Sequence, residues 1–176
     1  MTILVIILII IAIPFVVALF LDNEYVIERD IAINRTPQEV FGYIKLLKNA
    51  GTYNKWVMQD PNLKKEFRGT DGTVGFVYGW DSDMKSVGKG EQEIAHIKEG
   101  QQIDYVIRFV KPFEGTSYAF LKTAPLPGGQ SKVTWIFKGI RNYPMRIFHF
   151  LLNLKKVLGR DLQESLVNLK TVLEKN

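Results

Sequence analysis

The residues best suited to chemistry are scattered along this sequence and form no known catalytic pattern. The two histidines, His96 and His149, are far apart and lack the spacing of a zinc-binding HExxH helix. The Asp81-Ser82-Asp83 segment lacks the downstream glycine and glutamate of a calcium loop, and no Gly-x-Ser-x-Gly nucleophile elbow occurs. The sequence therefore predicts no catalytic residue, no metal site and no cofactor, and it favours binding over catalysis without excluding an enzyme.

Aromatic and aliphatic side chains in the central and C-terminal parts of the chain form a second group. They would either fill a solid core or line an apolar cavity, where burial at about 25 cal/mol/Å² drives binding without a catalytic group. Gln92 shares a strand face with Gly90 and Ile94, so its amide would meet a ligand, a neighbouring side chain or water. The candidate ligand-binding residues are Trp56, Phe76, Tyr78, Trp80, Gln92, Tyr105, Ile107, Phe109, Tyr118, Phe120, Trp135, Phe137, Leu151, Leu158 and Leu162.

Composition narrows the classes of protein that this chain can represent. Its 176 residues are 47% hydrophobic and 23% charged, which is typical of a folded domain and not of a disordered chain. A net charge of +5 without a basic arm argues against nucleic-acid binding. The absence of cysteine excludes disulfides, thiolate catalysis and cysteine-ligated zinc.

The first 21 residues differ sharply from the rest because they carry no charged side chain. Twenty apolar residues in a helix span roughly 30 Å, the thickness of a bilayer's hydrocarbon core. A cleaved signal peptide is less favoured, since no basic side chain precedes the apolar run and the small-residue cleavage pattern is poor. We therefore expect an anchor at 1–21, a single-pass membrane location and a domain at 22–176, with the side of the membrane left open.

A basic stretch lies near the C-terminal end of the chain. From Lys132 through Arg160 there are seven Lys or Arg residues and no Asp or Glu. An ordinary solvated face explains this stretch, but a tethered domain would also place Arg146, Lys155 and Lys156 near anionic headgroups. The membrane is therefore a second expected partner beside a hydrophobic small molecule.

Local patterns predict one strand, a short helical region, six further strands and a long final helix. Thr36, Pro37 and Glu39 have the spacing of an N-cap, a first-turn proline and a capping box. Apolar residues at steps of three and four, beginning near Pro144, predict the final amphipathic helix. The predicted strands are Tyr25–Ile33, Leu63–Arg68, Val74–Trp80, Gly88–Ile97, Gln102–Phe109, Thr116–Thr123 and Lys132–Lys138.

This order of elements predicts an α+β fold in which a curved antiparallel sheet wraps on the long C-terminal helix. Five segments of the chain carry a resemblance to a known family, namely Tyr25–Ile44, Gly88–Ile94, Pro112-Phe113, Lys132–Trp135 and Leu166–Lys170. In this order and spacing they resemble the SRPBCC superfamily of START and polyketide-cyclase-like helix-grip proteins. An apolar segment before such a domain is similar to the membrane-anchored bacterial type. The resemblance covers roughly 25–174 and implies a pocket for lipids, isoprenoids, polyketides or other apolar ligands.

Three functions remain open at this point. The first is a binding module that takes an apolar ligand between sheet and helix. The second is a structural or partner-interaction protein with a filled core. The third is a cyclase-like or hydratase-like enzyme, which needs a convergent acid–base pair that the sequence does not display.

Overall fold

The computed structural model describes residues 23–140 and 154–175, together with the isolated residues Ile3 and Ile13. The helices in these ranges are α1 (Pro37–Lys45), α2 (Lys55–Met58) and α3 (Leu154–Lys175), and a 3₁₀ helix spans Leu47–Thr52. The strands are β1 (Glu24–Ile33), β2 (Lys64–Arg68), β3 (Val77–Asp81), β4 (Lys89–Lys98), β5 (Gln102–Lys111), β6 (Gly115–Leu126) and β7 (Gln130–Ile140). The predicted α+β architecture is confirmed.

All seven strands belong to one antiparallel sheet in the order β1-β7-β6-β5-β4-β3-β2. Strands β2 to β7 form a meander, and β1 pairs with β7, so that Ile27 lies opposite Phe137. The predicted strand at Val74–Trp80 begins later, at Val77, because Gly75 has a φ of +86° and leaves the extended region.

Helix α1 begins with the predicted capping box. The Glu39 carboxylate accepts a hydrogen bond from the backbone N–H of Thr36 at 2.8 Å, and the Thr36 hydroxyl accepts one from the Glu39 N–H at 3.4 Å. Pro37 occupies the first helical position, where its missing N–H costs nothing. Val40, Phe41 and Ile44 then point into the core.

Helix α3 lies on the inner face of the sheet and contacts mainly β1, with further contacts to α2, β7 and the 3₁₀ helix. Its leucine stripe includes Leu162, Leu166 and Leu169, which are almost fully buried. At its C-terminal end, the Glu174 carboxylate accepts a hydrogen bond from the Asn34 N–H at 2.7 Å. The predicted helix start at Pro144 falls outside the described residues.

The predicted membrane location is corrected by the structure. Among the residues that the structure describes, no helix is long and apolar enough to cross a bilayer. The predicted anchor at 1–21 lies outside the described residues apart from Ile3 and Ile13. Lys155 and Lys156 are exposed and Arg146 is not described, so the expected headgroup contact, which depended on the membrane location, is not retained.

The loop between β3 and β4 is held against the end of β5 through Gly88. Gly88 has a φ of +66°, and a Cβ added there would lie 2.1 Å from the carbonyl oxygen of Lys111. The Gly88 N–H donates to the Met84 carbonyl at 2.8 Å, and the Gly88 carbonyl accepts from the Ser82 N–H at 3.0 Å. The loop can take this position only because residue 88 has no side chain.

We expect Gly88→Ala to destabilise the protein by at least ~2 kcal/mol more than Gly100→Ala, since a buried clash adds to a shared backbone strain. Gly100 is the matched control because its φ of +69° is similar, yet a Cβ there would meet no atom within 4 Å. Urea unfolding of both variants measures the difference. Equal losses of stability would show that the loop does not depend on this close approach.

Candidate ligand cavity

A cavity of about 220 Å³ lies between the inner face of the sheet and helices α2 and α3, and it is partly open to solvent. An engineered apolar cavity of about 150 Å³ binds benzene, so this space suits a small ring system or part of a larger molecule. Its lining residues are Asn54, Trp56, Val57, Leu63, Tyr78, Trp80, Ser86, Val87, Gln92, Ile107, Phe109, Ala119, Trp135, Phe137, Leu158 and Leu162.

The described lining is aromatic and aliphatic, with few polar groups. Tyr78 is its only titratable side chain, since none of the lining residues is Asp, Glu, His, Lys or Arg. Burial raises the pKa of Tyr78 to about 12, so its phenol stays neutral near pH 7. Such a hydroxyl is a poor general base.

Two residues of the lining each carry a polar atom that is almost inaccessible and lacks a hydrogen-bond partner among the described residues. These atoms are the Tyr78 hydroxyl and the Trp135 Nε1–H, on side chains that belong to residues only 3% and 5% exposed. A buried polar group without a partner costs about 1–3 kcal/mol. By contrast, the Trp80 Nε1–H donates to the Val87 carbonyl at 3.2 Å, although Trp80 lines the same cavity.

Ring contacts fix the aromatic wall of the cavity. Tyr78 stacks on Phe67 with ring centroids 5.3 Å apart, and it tilts against Trp80 at 6.4 Å. Trp80 then meets Phe109 edge to face at 6.0 Å. Rings locked by their neighbours lose little conformational entropy when a ligand binds, so this wall is pre-organised.

The helical wall is held together by polar contacts between α2 and α3. The backbone N–H of Lys55 donates to the Ser165 hydroxyl at 3.0 Å, and the Lys55 ammonium lies 3.0 Å from Asp161 Oδ1. Hydrogen bonds to Glu164 and Asp161 raise the pKa of Lys55, which shows that these carboxylates stabilise its charged form. Trp56 and Leu158 therefore border the cavity from two helices that are joined to each other.

The structure separates the predicted ligand-binding residues into four groups. Those at the cavity are Trp56, Tyr78, Trp80, Gln92, Ile107, Phe109, Trp135, Phe137, Leu158 and Leu162. Phe76 and Tyr105 are buried away from it, Tyr118 and Phe120 lie on the outer face of the sheet, and Leu151 is not described. Whether the first group binds a ligand stays a prediction.

Physical reasons explain why four of the predicted ligand-binding residues lie away from the cavity. Tyr105 packs beneath α1 in solid core, where its hydroxyl donates to the Ile44 carbonyl at 3.4 Å. Phe76 is 1% exposed, and one face of its ring is covered by the exposed residue Phe67, which stacks on it. On β6 the alternation places Ala119 inside between the bulky residues Tyr105 and Phe137 of the neighbouring strands, so Tyr118 and Phe120 face outward.

Six lining residues were not among the predicted ones, namely Asn54, Val57, Leu63, Ser86, Val87 and Ala119. Most come from α2 and from loops, where no strand or long-helix periodicity indicates which side chain points inward. Ala119 is the exception. It alternates with Leu121 along β6, so the period-2 pattern could have identified it.

The meander, the first strand beside the last, and the cavity under a C-terminal helix define the helix-grip class of fold. The family model described as "Polyketide cyclase / dehydrase and lipid transport" matches residues 25–174. This chain belongs to that family. The match does not test the predicted domain bounds of 22–176, which stay a prediction. No curated protein matches the chain significantly by sequence.

Solved structures support the fold at low sequence identity. Protein MLL2253 from Mesorhizobium loti is 16% identical with a TM-score of 0.61, over 87% of this chain and 98% of that one. Truncated norcoclaurine synthase from Thalictrum flavum is 9% identical with a TM-score of 0.62, over 87% and 95%. The di-domain ARO/CYC StfQ from the steffimycin biosynthetic pathway is 12% identical with a TM-score of 0.63, over 86% and 51%.

Two phenols allow the cost of the unpartnered hydroxyl to be measured. We expect Tyr78→Phe to leave the free energy of unfolding within about 0.5 kcal/mol of wild type or to raise it, because no hydrogen bond is lost. Tyr105→Phe is the control and should lower it by about 1 kcal/mol, since it removes the bond to Ile44. Denaturant unfolding without ligand gives both values, and a larger loss for Tyr78→Phe would reveal a partner for its hydroxyl.

Proposed function

We propose that this protein binds a small hydrophobic molecule in the cavity between its sheet and helices α2 and α3. The observation that carries the proposal is the cavity itself, a space of about 220 Å³ with a mainly apolar lining. Removing apolar ligand surface from water at about 25 cal/mol/Å² supplies the driving force. The proposed binding domain spans 22–176, and lipids, isoprenoids and polyketide-like molecules remain the candidate ligands.

The lining favours binding over catalysis. A cyclase or hydratase needs an acid and a base that converge on the substrate. Among the described lining residues, the only titratable group is the Tyr78 phenol, whose pKa burial raises to about 12. Ligand recognition by shape and by a few hydrogen bonds is what this set of side chains can perform.

Filling the cavity should weaken ligand binding. Ala119 lines the space and is 1% exposed, whereas Ala124 lies on the same strand with its side chain exposed on the opposite face. We expect Ala119→Leu to weaken binding of tetralin by at least about tenfold, because the added methyl groups occupy ligand volume. Ala124→Leu is the matched control and should bind like wild type.

Saturation-transfer NMR on the full chain can measure both affinities, after circular dichroism has shown that each variant is folded. Unchanged tetralin binding by folded Ala119→Leu would place the ligand elsewhere and contradict the proposal. The proposal would also be contradicted if wild type bound neither tetralin nor other small apolar ring compounds.

A further inference from the structure

We propose that the hydrogen bond between Ser82 and Asp60 is a latch that controls how fast a ligand enters and leaves the cavity. This inference rests on the proposed function and adds a control of access to the same site. The Ser82 hydroxyl donates to the Asp60 carboxylate, and both residues are partly buried. Among the described residues, no other hydrogen bond or ion pair joins the segment 53–62 to the loop 82–88.

The cavity reaches the protein surface between these two segments. Trp56 and Val57 line it from α2, and Ser86 and Val87 line it from the loop between β3 and β4. All four are at least partly exposed, whereas Ala119, deeper in the same cavity, is 1% exposed. A ligand therefore passes between α2 and this loop when the two move apart.

The latch lies where two neighbouring strands end. The last pair of the ladder between β2 and β3 is Lys64 with Asp81. Beyond this pair, one segment leads back to α2 and the other leads into the loop 82–88. The hydrogen bond from Ser82 to Asp60 therefore holds together two segments that no ladder joins.

Each side of the latch is oriented by its own loop. The Asp60 carboxylate also accepts a hydrogen bond from the Asn62 N–H at 2.8 Å. The Ser82 hydroxyl also accepts one from the Met84 N–H at 3.0 Å. These local bonds remain when the latch opens, so opening costs one hydrogen bond and leaves both loops ordered.

Helix α2 is held by α3. Besides the contacts of Lys55 with Ser165 and Asp161 described above, the Asn168 Nδ2 donates to the Tyr53 carbonyl at 3.3 Å. These three α3 residues lie on one side of that helix, at steps of three and four. Helix α2 therefore moves with α3.

The loop between β3 and β4 is held by the sheet instead. The Trp80 Nε1–H donates to the Val87 carbonyl, and Gly88 lies against the Lys111 carbonyl. The latch thus joins a helical side of the cavity to a sheet side. Motion between these two sides opens the cavity, and the latch opposes that motion.

Ligand exchange rates test the latch. We expect Ser82→Ala to raise both the association and the dissociation rate constant of tetralin about tenfold, because a hydrogen bond to a charged group is lost. The dissociation constant should stay within about twofold of wild type, since the latch closes the free and the bound protein alike. Line-shape analysis of NMR titrations on the full chain gives all three values.

Thr73→Val is the matched control for this variant. It removes a hydroxyl that donates to the Thr70 carbonyl at 2.7 Å in the loop at the other end of β2 and β3. The loss is again one hydrogen bond from a loop hydroxyl, but it is away from the opening. Both rate constants should match those of wild type.

Variants of Asp60 separate a latch from a general loosening of the loops. Asp60→Ala should accelerate exchange as much as Ser82→Ala, and the double variant should add nothing, because all three lack the same bond. Asp60→Asn keeps an acceptor oxygen and should lie closer to wild type. Additive effects of Asp60→Ala and Ser82→Ala would contradict the latch.

A measurement without ligand follows the opening itself. Relaxation dispersion of backbone ¹⁵N signals reports motions on the microsecond-to-millisecond timescale. In Ser82→Ala, the population of the open state should rise about tenfold at residues 60–63 and 82–87, and in Thr73→Val it should not. Circular dichroism shows beforehand that each variant is folded.

The outcomes separate this inference from the proposed function. Tetralin binding with equal rate constants in wild type and Ser82→Ala would overturn the latch while the proposed function stands. A larger open population in Ser82→Ala, with no tetralin binding by any variant, would support the latch and contradict the proposed function. An unchanged open population in Ser82→Ala would overturn the latch whether or not tetralin binds.

Discussion

The structure depends on the difference in width between the sheet and the helix that packs on it, because a single helix cannot cover the inner face of a seven-stranded sheet. Six strand spacings of about 4.8 Å make this face roughly 29 Å wide, whereas a helix with its side chains is about 10 Å across. Helix α3 covers mainly β1, and α1 packs against β6 and β7. The short helix α2 and loops close part of what remains of the inner face, and the cavity lies there, lined by side chains from β3 to β7.

Because of this difference in width, the two ends of helix α3 have different surroundings. Leu166, Leu169 and Leu173 pack in solid core, while Leu158 and Leu162 reach the cavity. The hydrogen bonds of Asn34 to Glu174 and of Lys170 to Ala32 fasten the C-terminal part to the end of β1. The N-terminal part is held instead through Lys55 and Ser165, so the wall of the cavity and the core are stabilised by separate contacts.

The sequence predicted the order of the elements because apolar periodicity, the capping box and glycine turns are local signals. Ten of its candidate residues lie at the cavity; strand alternation accounts for the seven on strands, and the apolar stripe of the last helix accounts for Leu158 and Leu162. The sequence did not indicate which of the inward-facing side chains line the cavity and which fill the core. Tyr105 and Ile107 alternate identically, and only the position of α1 above Tyr105 makes one solid and the other open. The outward position of Tyr118 follows from the same alternation along β6 that places Ala119 and Leu121 inward.

Xenon binding tests the apolar space beneath α3 most directly, because xenon occupies apolar cavities without needing a hydrogen bond. A crystal of the full chain under xenon pressure should show a xenon atom bounded by Trp135, Phe137 and Leu158, between the sheet and α3. A structure in which these side chains interlock and no xenon occupies the space would contradict this account of the molecule.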